Sequence, residues 1–233
     1  MQQLPRIIGV TALAALASVP LLRAVPGPPP APQAQRQHTR LFPPQDLGLL
    51  EGPDRDAWQR PERIMDELGI GEASVVADLG AGGGWFTIRL AIQVGPNGKV
   101  FAEDIQPEMI ESIRRRVERE GLADRVYPVL GTATDPNIKE PVDAVLIVDA
   151  YHEMENPQVL LRNVARVLKP TGRLGIVEHT KNGGGPGPPL EERVDPERII
   201  RDATAAGLRL HARPNFLRYQ YLLVFKRADA PAQ

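Results

Sequence analysis

The chain reads as an α/β fold: a mostly parallel sheet with helices on both of its faces. Three observations predict it. Short apolar runs alternate with amphipathic stretches from residue 74 to residue 207. A glycine-rich turn, Gly80-Ala-Gly-Gly-Gly84, joins the first run to the first of those stretches. At the far end, two strand candidates follow one another with only a short connection. Alternation of this kind requires crossover connections, and crossovers place neighbouring strands parallel.

The elements follow in order. A helix is expected over residues 58–68, with Pro61 in its first turn and Gly69 just past its end. The first strand covers 74–78. Its helix presents Phe86, Leu90 and Val94 at helical spacing and stops near Gly95-Pro-Asn-Gly98. A second strand covers 99–103. Pro107 opens the next helix, whose apolar stripe is Met109, Ile110, Ile113 and Val117. Strands three and four cover 125–130 and 144–148, a helix 159–168, and strand five 173–177. Asp195 stands where it can cap a helix over 196–206, which Gly207 closes. Residues 208–213 and 220–226 supply the last two strands, which makes seven.

Length and composition fit one such domain, expected over residues 51–229 of the 233. Net charge is -1, from 28 basic and 29 acidic residues, and aromatics make up 5%. Neither a basic surface nor a base-stacking platform is indicated, so no nucleic-acid partner is expected. Cysteine is absent, which excludes disulfides, thiolate metal sites and cysteine nucleophiles. No metal site is expected.

The first 50 residues differ in kind. Arg6 precedes an apolar run from Ile7 to Leu22 broken by Pro20, and no acidic residue occurs before Asp46. Residues 1–24 therefore read as a signal peptide or an N-terminal membrane anchor, and 25–50 as a proline-rich disordered linker. Export to the periplasm or attachment to the membrane is the expected location. Arg23, Arg36 and Arg40 outnumber Arg6 across the run, which slightly favours a cytosolic C-terminal side if the segment stays uncleaved.

The chemistry concentrates between Val75 and Asp104. An apolar strand carrying Asp78 runs into glycines at 80, 82, 83 and 84, and a second strand ends in Glu103-Asp104. Backbone can approach a nucleotide-sized ligand closely at such a turn. An acid at the second strand end can accept both hydroxyls of a ribose. The dinucleotide pattern Gly-x-Gly-x-x-Gly fails, because its third glycine falls on Trp85 or Thr87 depending on the start. What stands instead is Asp-x-Gly-x-Gly-x-Gly. Its carboxylate would repel a pyrophosphate and attract a cation.

With Asp78, Gly80, Gly82 and Gly84, this pattern resembles motif I of the class I S-adenosylmethionine-dependent methyltransferases. The resemblance continues through Asp104-Ile-Gln-Pro-Glu-Met109, Val129-Leu-Gly-Thr-Ala133, Val142–Asp149 and its following Ala-Tyr-His-Glu-Met-Glu-Asn-Pro157, and Leu168-Lys-Pro-Thr-Gly172 before Arg-Leu-Gly-Ile-Val-Glu178. It covers roughly residues 58–227. It implies a Rossmann-like seven-stranded sheet with an antiparallel terminal strand, and S-adenosylmethionine as cofactor. By the same likeness Asp78, Gly80, Ala81, Gly82, Gly84, Asp104, Ile105, Thr132, Ala133 and Asp149 are the cofactor-binding residues, Asp104 holding the ribose unless the register slips to Glu103. Thr132 stands where the family often has an Asp for the adenine amino group.

The substrate side is expected after strand four. His152 is a candidate proton acceptor, Asp149 either orients it or faces the methionine, and Tyr151 can line the acceptor pocket with its ring. Glu178 and His179 end strand five at the same edge. Arg55 and Trp58 are placed to close over the cofactor. Asn182–Pro189, glycine-rich with little side chain to pack, reads as a mobile loop over the acceptor side or an inert insertion. A small, lipophilic methyl acceptor is the expected partner. Two rivals are a nicotinamide oxidoreductase and a non-catalytic module that binds S-adenosylmethionine.

Overall fold

A computed structural model describes residues 41–182 and 184–230. Its seven strands are β1 (Val75–Leu79), β2 (Lys99–Asp104), β3 (Val126–Leu130), β4 (Val142–Val148), β5 (Leu168–His179), β6 (Leu208–Ala212) and β7 (Gln220–Arg227). They form one sheet in the order β3-β2-β1-β4-β5-β7-β6. β1 to β5 pair parallel. β7 runs antiparallel to both β5 and β6, as the short terminal connection predicts.

Among the described residues six α-helices cover the sheet: α1 (Arg55–Gln59), α2 (Pro61–Glu67), α3 (Trp85–Val94), α4 (Pro107–Arg119), α5 (Pro157–Val167) and α6 (Pro196–Ala205). Strand residues alternate between two cores. Val76, Ala144 and Leu146 pack with Ile64 of α2, Leu90 of α3 and Ile113 of α4. Ala77, Val145 and Ile147 pack with Leu161 of α5 and Ile199 of α6. A strand buried on both faces has no polar side, so β4 reads Val-Asp-Ala-Val-Leu-Ile-Val with Asp143 near its start as the one break.

Three expectations change. The helix expected over 58–68 is two helices, because Arg60 sits at φ 53 between them. Pro61 disfavours helical geometry at the residue before it and then serves as the first residue of α2. β5 begins at Leu168, five residues earlier than expected, and meets β4 through a register shift between Val142 and Ala144. The expected linker ends sooner: Pro44–Leu50 is a 3-10 helix with proline at its start. The cap on α6 is found where expected, with Glu197 N donating to Asp195 Oδ1 at 2.8 Å.

The signal peptide or anchor expected in residues 1–24 lies outside the described residues. Among the described residues no helix is long and apolar enough to cross a membrane.

The chain runs outward from β1 to β3 and then returns to lay β4 on the other side of β1. That reversal opens a crevice at the carboxyl ends of β1 and β4, where ligands of open parallel sheets bind.

Candidate functional site

β1 delivers Asp78 and then Gly80, whose φ of 68 lies in the left-handed region. A Cβ added there would stand 2.5 Å from Ala150 Cβ, so glycine alone lets the turn after β1 close against the turn after β4. The loop is tied to β2. Ala81 N donates to Glu103 O at 2.9 Å, Gly82 N to Asp104 Oδ2 at 3.0 Å, and Gly80 N to Glu103 Oε2 at 3.4 Å.

Three buried carboxyl groups therefore meet around this loop. Asp78 accepts from Thr87 Oγ1 at 2.6 Å. Burial pushes it up to about 6, against the pull of Thr87 and Arg55. Burial and the neighbouring Asp104 push Glu103 up to about 8. Asp104 is raised by burial and held back by the amides of Gln106 and Gly82. Strand alternation sends Glu103 and Asp104 to opposite faces. Glu103 is closed in by Gly131, where an added Cβ would fall 1.8 Å from its Oε1. Asp104 accepts from Gly82 N and, at 2.9 Å, from Gln106 N, and its remaining lone pairs can take two hydroxyls.

Ile105, Thr132 and Ala133 are exposed beside Asp104. Thr132 closes its own turn, its Oγ1 accepting from Asp135 N at 2.9 Å and bonding Asp135 O at 3.3 Å. Its hydroxyl is thereby engaged within the loop.

Residues 42–51 form a strap across this edge. Phe42 N donates to Glu153 Oε2 at 3.0 Å, and Gln106 Nε2 donates to Phe42 O at 3.1 Å. Leu47 lies against Gly83, its methyls 3.2 Å from where a Cβ would be. Glu51 pairs with Arg116, which also donates to Gly83 O at 3.1 Å. The strap was missed by sequence reasoning. Its signal was the Leu47-Gly-Leu-Leu50 cluster placed after the prolines.

Asp149 is the hub of the other half, with φ 53 at the end of β4. Its carboxylate accepts from Gln220 Nε2 at 2.7 Å and Gln59 Nε2 at 3.2 Å. It also faces His179 Nε2 at 3.2 Å and Arg55 Nη2 at 3.9 Å. Burial alone would raise its pKa, but the contacts with His179, Arg55 and His152 hold it below the usual carboxylate range. Arg55 is itself buried, stacked 4.1 Å over the Trp85 ring. Gln59 and Gln220 were not foreseen.

His152 has a different partner from the one expected. Its Nδ1 lies 3.1 Å from both oxygens of Glu178, which is fully buried. Burial pulls the imidazole down, yet Glu178 and then Glu153 more than offset this and raise it to about 9. At neutral pH it keeps its proton, so an ion pair describes it better than proton acceptance. Tyr151 does not line a pocket: its ring lies in the core under α5 and α6, and its hydroxyl donates to Asp202 Oδ2 at 2.7 Å. Burial and Asp202 push that phenol far above its ordinary value.

The comparisons with known proteins agree with this geometry. Residues 76–172 match the family model described as a methyltransferase domain. An uncharacterised methyltransferase of Mycobacterium tuberculosis is 36% identical over 143 residues, 59% of this chain and 55% of that protein. A ubiquinone/menaquinone biosynthesis C-methyltransferase of Ectopseudomonas mendocina is 34% identical over 147 residues, 63% of this chain and 55% of that protein. The chain thus spans just over half the length of these curated relatives. A solved structure of an S-adenosylmethionine-dependent methyltransferase from Aquifex aeolicus superposes with a TM-score of 0.73 at 29% identity, covering 79% of this chain and 98% of that one. Sheet order, glycine loop and relatives converge on a class I S-adenosylmethionine-dependent methyltransferase domain, which the family model matches over residues 76–172.

Proposed function

We propose that this protein transfers the methyl group of S-adenosylmethionine to a small, lipophilic acceptor. The observation that carries this reading is the pair of buried aspartates, Asp78 and Asp104, beside the glycine loop, which suits a cofactor with an ammonium, a sulfonium and a ribose but no phosphate. Asp104 takes the ribose hydroxyls and Ile105 flanks the adenine. The loop from Gly80 to Gly84, ordered by Asp78 through Thr87, lies under the methionine part. Arg55, between Asp78 and Asp149, offers its guanidinium to the methionine carboxylate.

The sulfonium supplies an activated methyl when bound, so alignment supplies most of the acceleration, of the order of 7–11 kcal/mol. The acceptor attacks in line from the side of Asp149, His179 and Trp58. The likeness to a quinone C-methyltransferase supports a lipophilic acceptor. A signal peptide or anchor in residues 1–24 would bring the protein to such molecules at the membrane. The test is to incubate the full chain with S-adenosylmethionine and a panel of small quinols, catechols and lipid-soluble phenols. Acceptor-dependent formation of S-adenosylhomocysteine is expected. Cofactor binding without turnover on any acceptor would leave a binding module.

A further inference from the structure

One buried nitrogen at the carboxyl end of β5 stands apart from the groups assigned above. Nδ1 of His179 has no hydrogen-bond partner among the described residues, although the residue is only 2% exposed. An unpaired buried group costs roughly 1–3 kcal/mol and asks for an explanation.

The other ring nitrogen settles the tautomer. Nε2 lies 3.2 Å from Asp149 Oδ1, and an ionised carboxylate only accepts, so the proton is assigned to Nε2 from the network. Gln220 Nε2 donates one of its two hydrogens to Asp149 at 2.7 Å and lies 3.3 Å from the same imidazole nitrogen, a longer approach than the His179–Asp149 contact. Nδ1 is left with a free lone pair. This is the arrangement in which a carboxylate orients an imidazole so that its far nitrogen can take a proton.

What covers the ring is unusual. Gly187 lies so close that an added Cβ would fall 2.6 Å from the imidazole, and Gly185 stands in the same way 2.4 Å from the Tyr219 ring. Trp58 completes the enclosure, its ring 6.0 Å from His179 and 6.3 Å from Tyr219. Residues 184–187 are exposed on their outer side. They are pinned from below by the buried Arg193, which donates to Thr180 O and Pro188 O at 2.9 Å and to Pro186 O at 3.4 Å. The absence of side chains is what lets this segment lie flat on the rings, so it is neither inert nor unpacked.

We propose that His179 is the general base for a phenolic acceptor, that Asp149 positions it, and that residues 184–189 are the cover that gives way when the flat acceptor enters between Trp58 and Tyr219. The inference rests on the methyl-transfer reading above. In the step, the phenolic proton passes to His179 Nδ1 and the phenolate oxygen bonds to the methyl carbon. The pair of the broken carbon–sulfur bond stays on sulfur, leaving neutral S-adenosylhomocysteine. The imidazolium is balanced by Asp149 and returns its proton to solvent.

The test uses the full chain with two acceptors, a simple catechol that is protonated at the assay pH and a nitrocatechol that is already ionised. His179→Asn and His179→Gln should lower kcat for the catechol on the order of 10²-fold or more, with a far smaller loss for the nitrocatechol and unchanged affinity for S-adenosylhomocysteine. Equal losses on both acceptors, or catechol turnover within about twofold of wild type, would overturn the assignment. Should the variants fold poorly, the wild-type pH profiles decide: kcat must fall with acidification for the catechol and stay flat for the nitrocatechol, and parallel profiles contradict the proposal. Wild-type protein that binds S-adenosylhomocysteine but methylates neither acceptor, nor any other, refutes the methyl-transfer reading itself and this base with it.

Discussion

Glu178 holds His152 as an imidazolium: both its carboxylate oxygens lie 3.1 Å from Nδ1, and the glutamate is fully buried at the end of β5. The folded state raises the histidine from 6.5 to about 9, so it binds the proton more tightly than the unfolded chain does. The stability this contributes is present in full below pH 6.5 and is lost as pH rises through 9. Urea unfolding from pH 6 to 9.5 should therefore show wild-type protein losing up to about 3 kcal/mol relative to a His152→Gln, Glu178→Gln double variant. A parallel pH dependence for the two would show that the pair is not charged.

Glu103 and Asp104 should answer oppositely to amide substitution. Glu103, pushed to about 8, already carries a proton at neutral pH, so Glu103→Gln leaves the charge of the site and cofactor binding little changed there. Relative to wild type the variant should gain stability as pH rises from about 4.5 to 8, because over that window the carboxyl is ionised in the unfolded chain but still protonated in the fold, and the gain should level off above 8. Asp104→Asn removes a charged acceptor for two hydroxyls and should weaken S-adenosylhomocysteine binding by about 2–3 kcal/mol. Calorimetry on both variants checks this, and the reverse result would move the ribose contact to Glu103.

Gly80 and Ala150 form a steric pair. Gly80→Ala combines a φ of 68 with a Cβ 2.5 Å from Ala150 Cβ, and should cost about 2–4 kcal/mol in chemical unfolding. Adding Ala150→Gly should recover the clash but not the backbone strain. A strictly additive double variant would mean that the two turns do not touch.

The Arg116–Glu51 pair latches the strap over Gly83. It is partly exposed, so Glu51→Gln should move the unfolding free energy by no more than about 1 kcal/mol. Release of bound S-adenosylhomocysteine should quicken by up to about fivefold in stopped-flow, the same energy read as a rate. An unchanged release rate would show that the strap does not gate the cofactor.

The parts legible in the sequence were those set by local rules. Short continuous apolar runs marked the strands, Asp195 marked its helix start, and the clustered glycines marked the loop after β1, where three of them take positive φ. The break at Arg60 was available in the same way, since Pro61 excludes helical geometry just before it. The substrate side was less legible, because its contacts join residues far apart in the chain. His152 meets Glu178 across 26 positions and Gln59 meets Gln220 across 161. Tyr151 looked like a pocket residue because its neighbours were, yet its ring turns to the core and reaches Asp202 of α6. The glycine segment at 184–189 carries no hydrophobic pattern, and only the rings beneath it reveal what it packs on.

The central claim is that the crevice between β1 and β4 is built for S-adenosylmethionine. It is tested most directly by calorimetric titration of the full chain with S-adenosylhomocysteine, with NAD in parallel and Asp104→Ala as control. Micromolar binding of S-adenosylhomocysteine that disappears in the variant, with no heat from NAD, is the predicted result. Binding of NAD instead, or of neither, would contradict it.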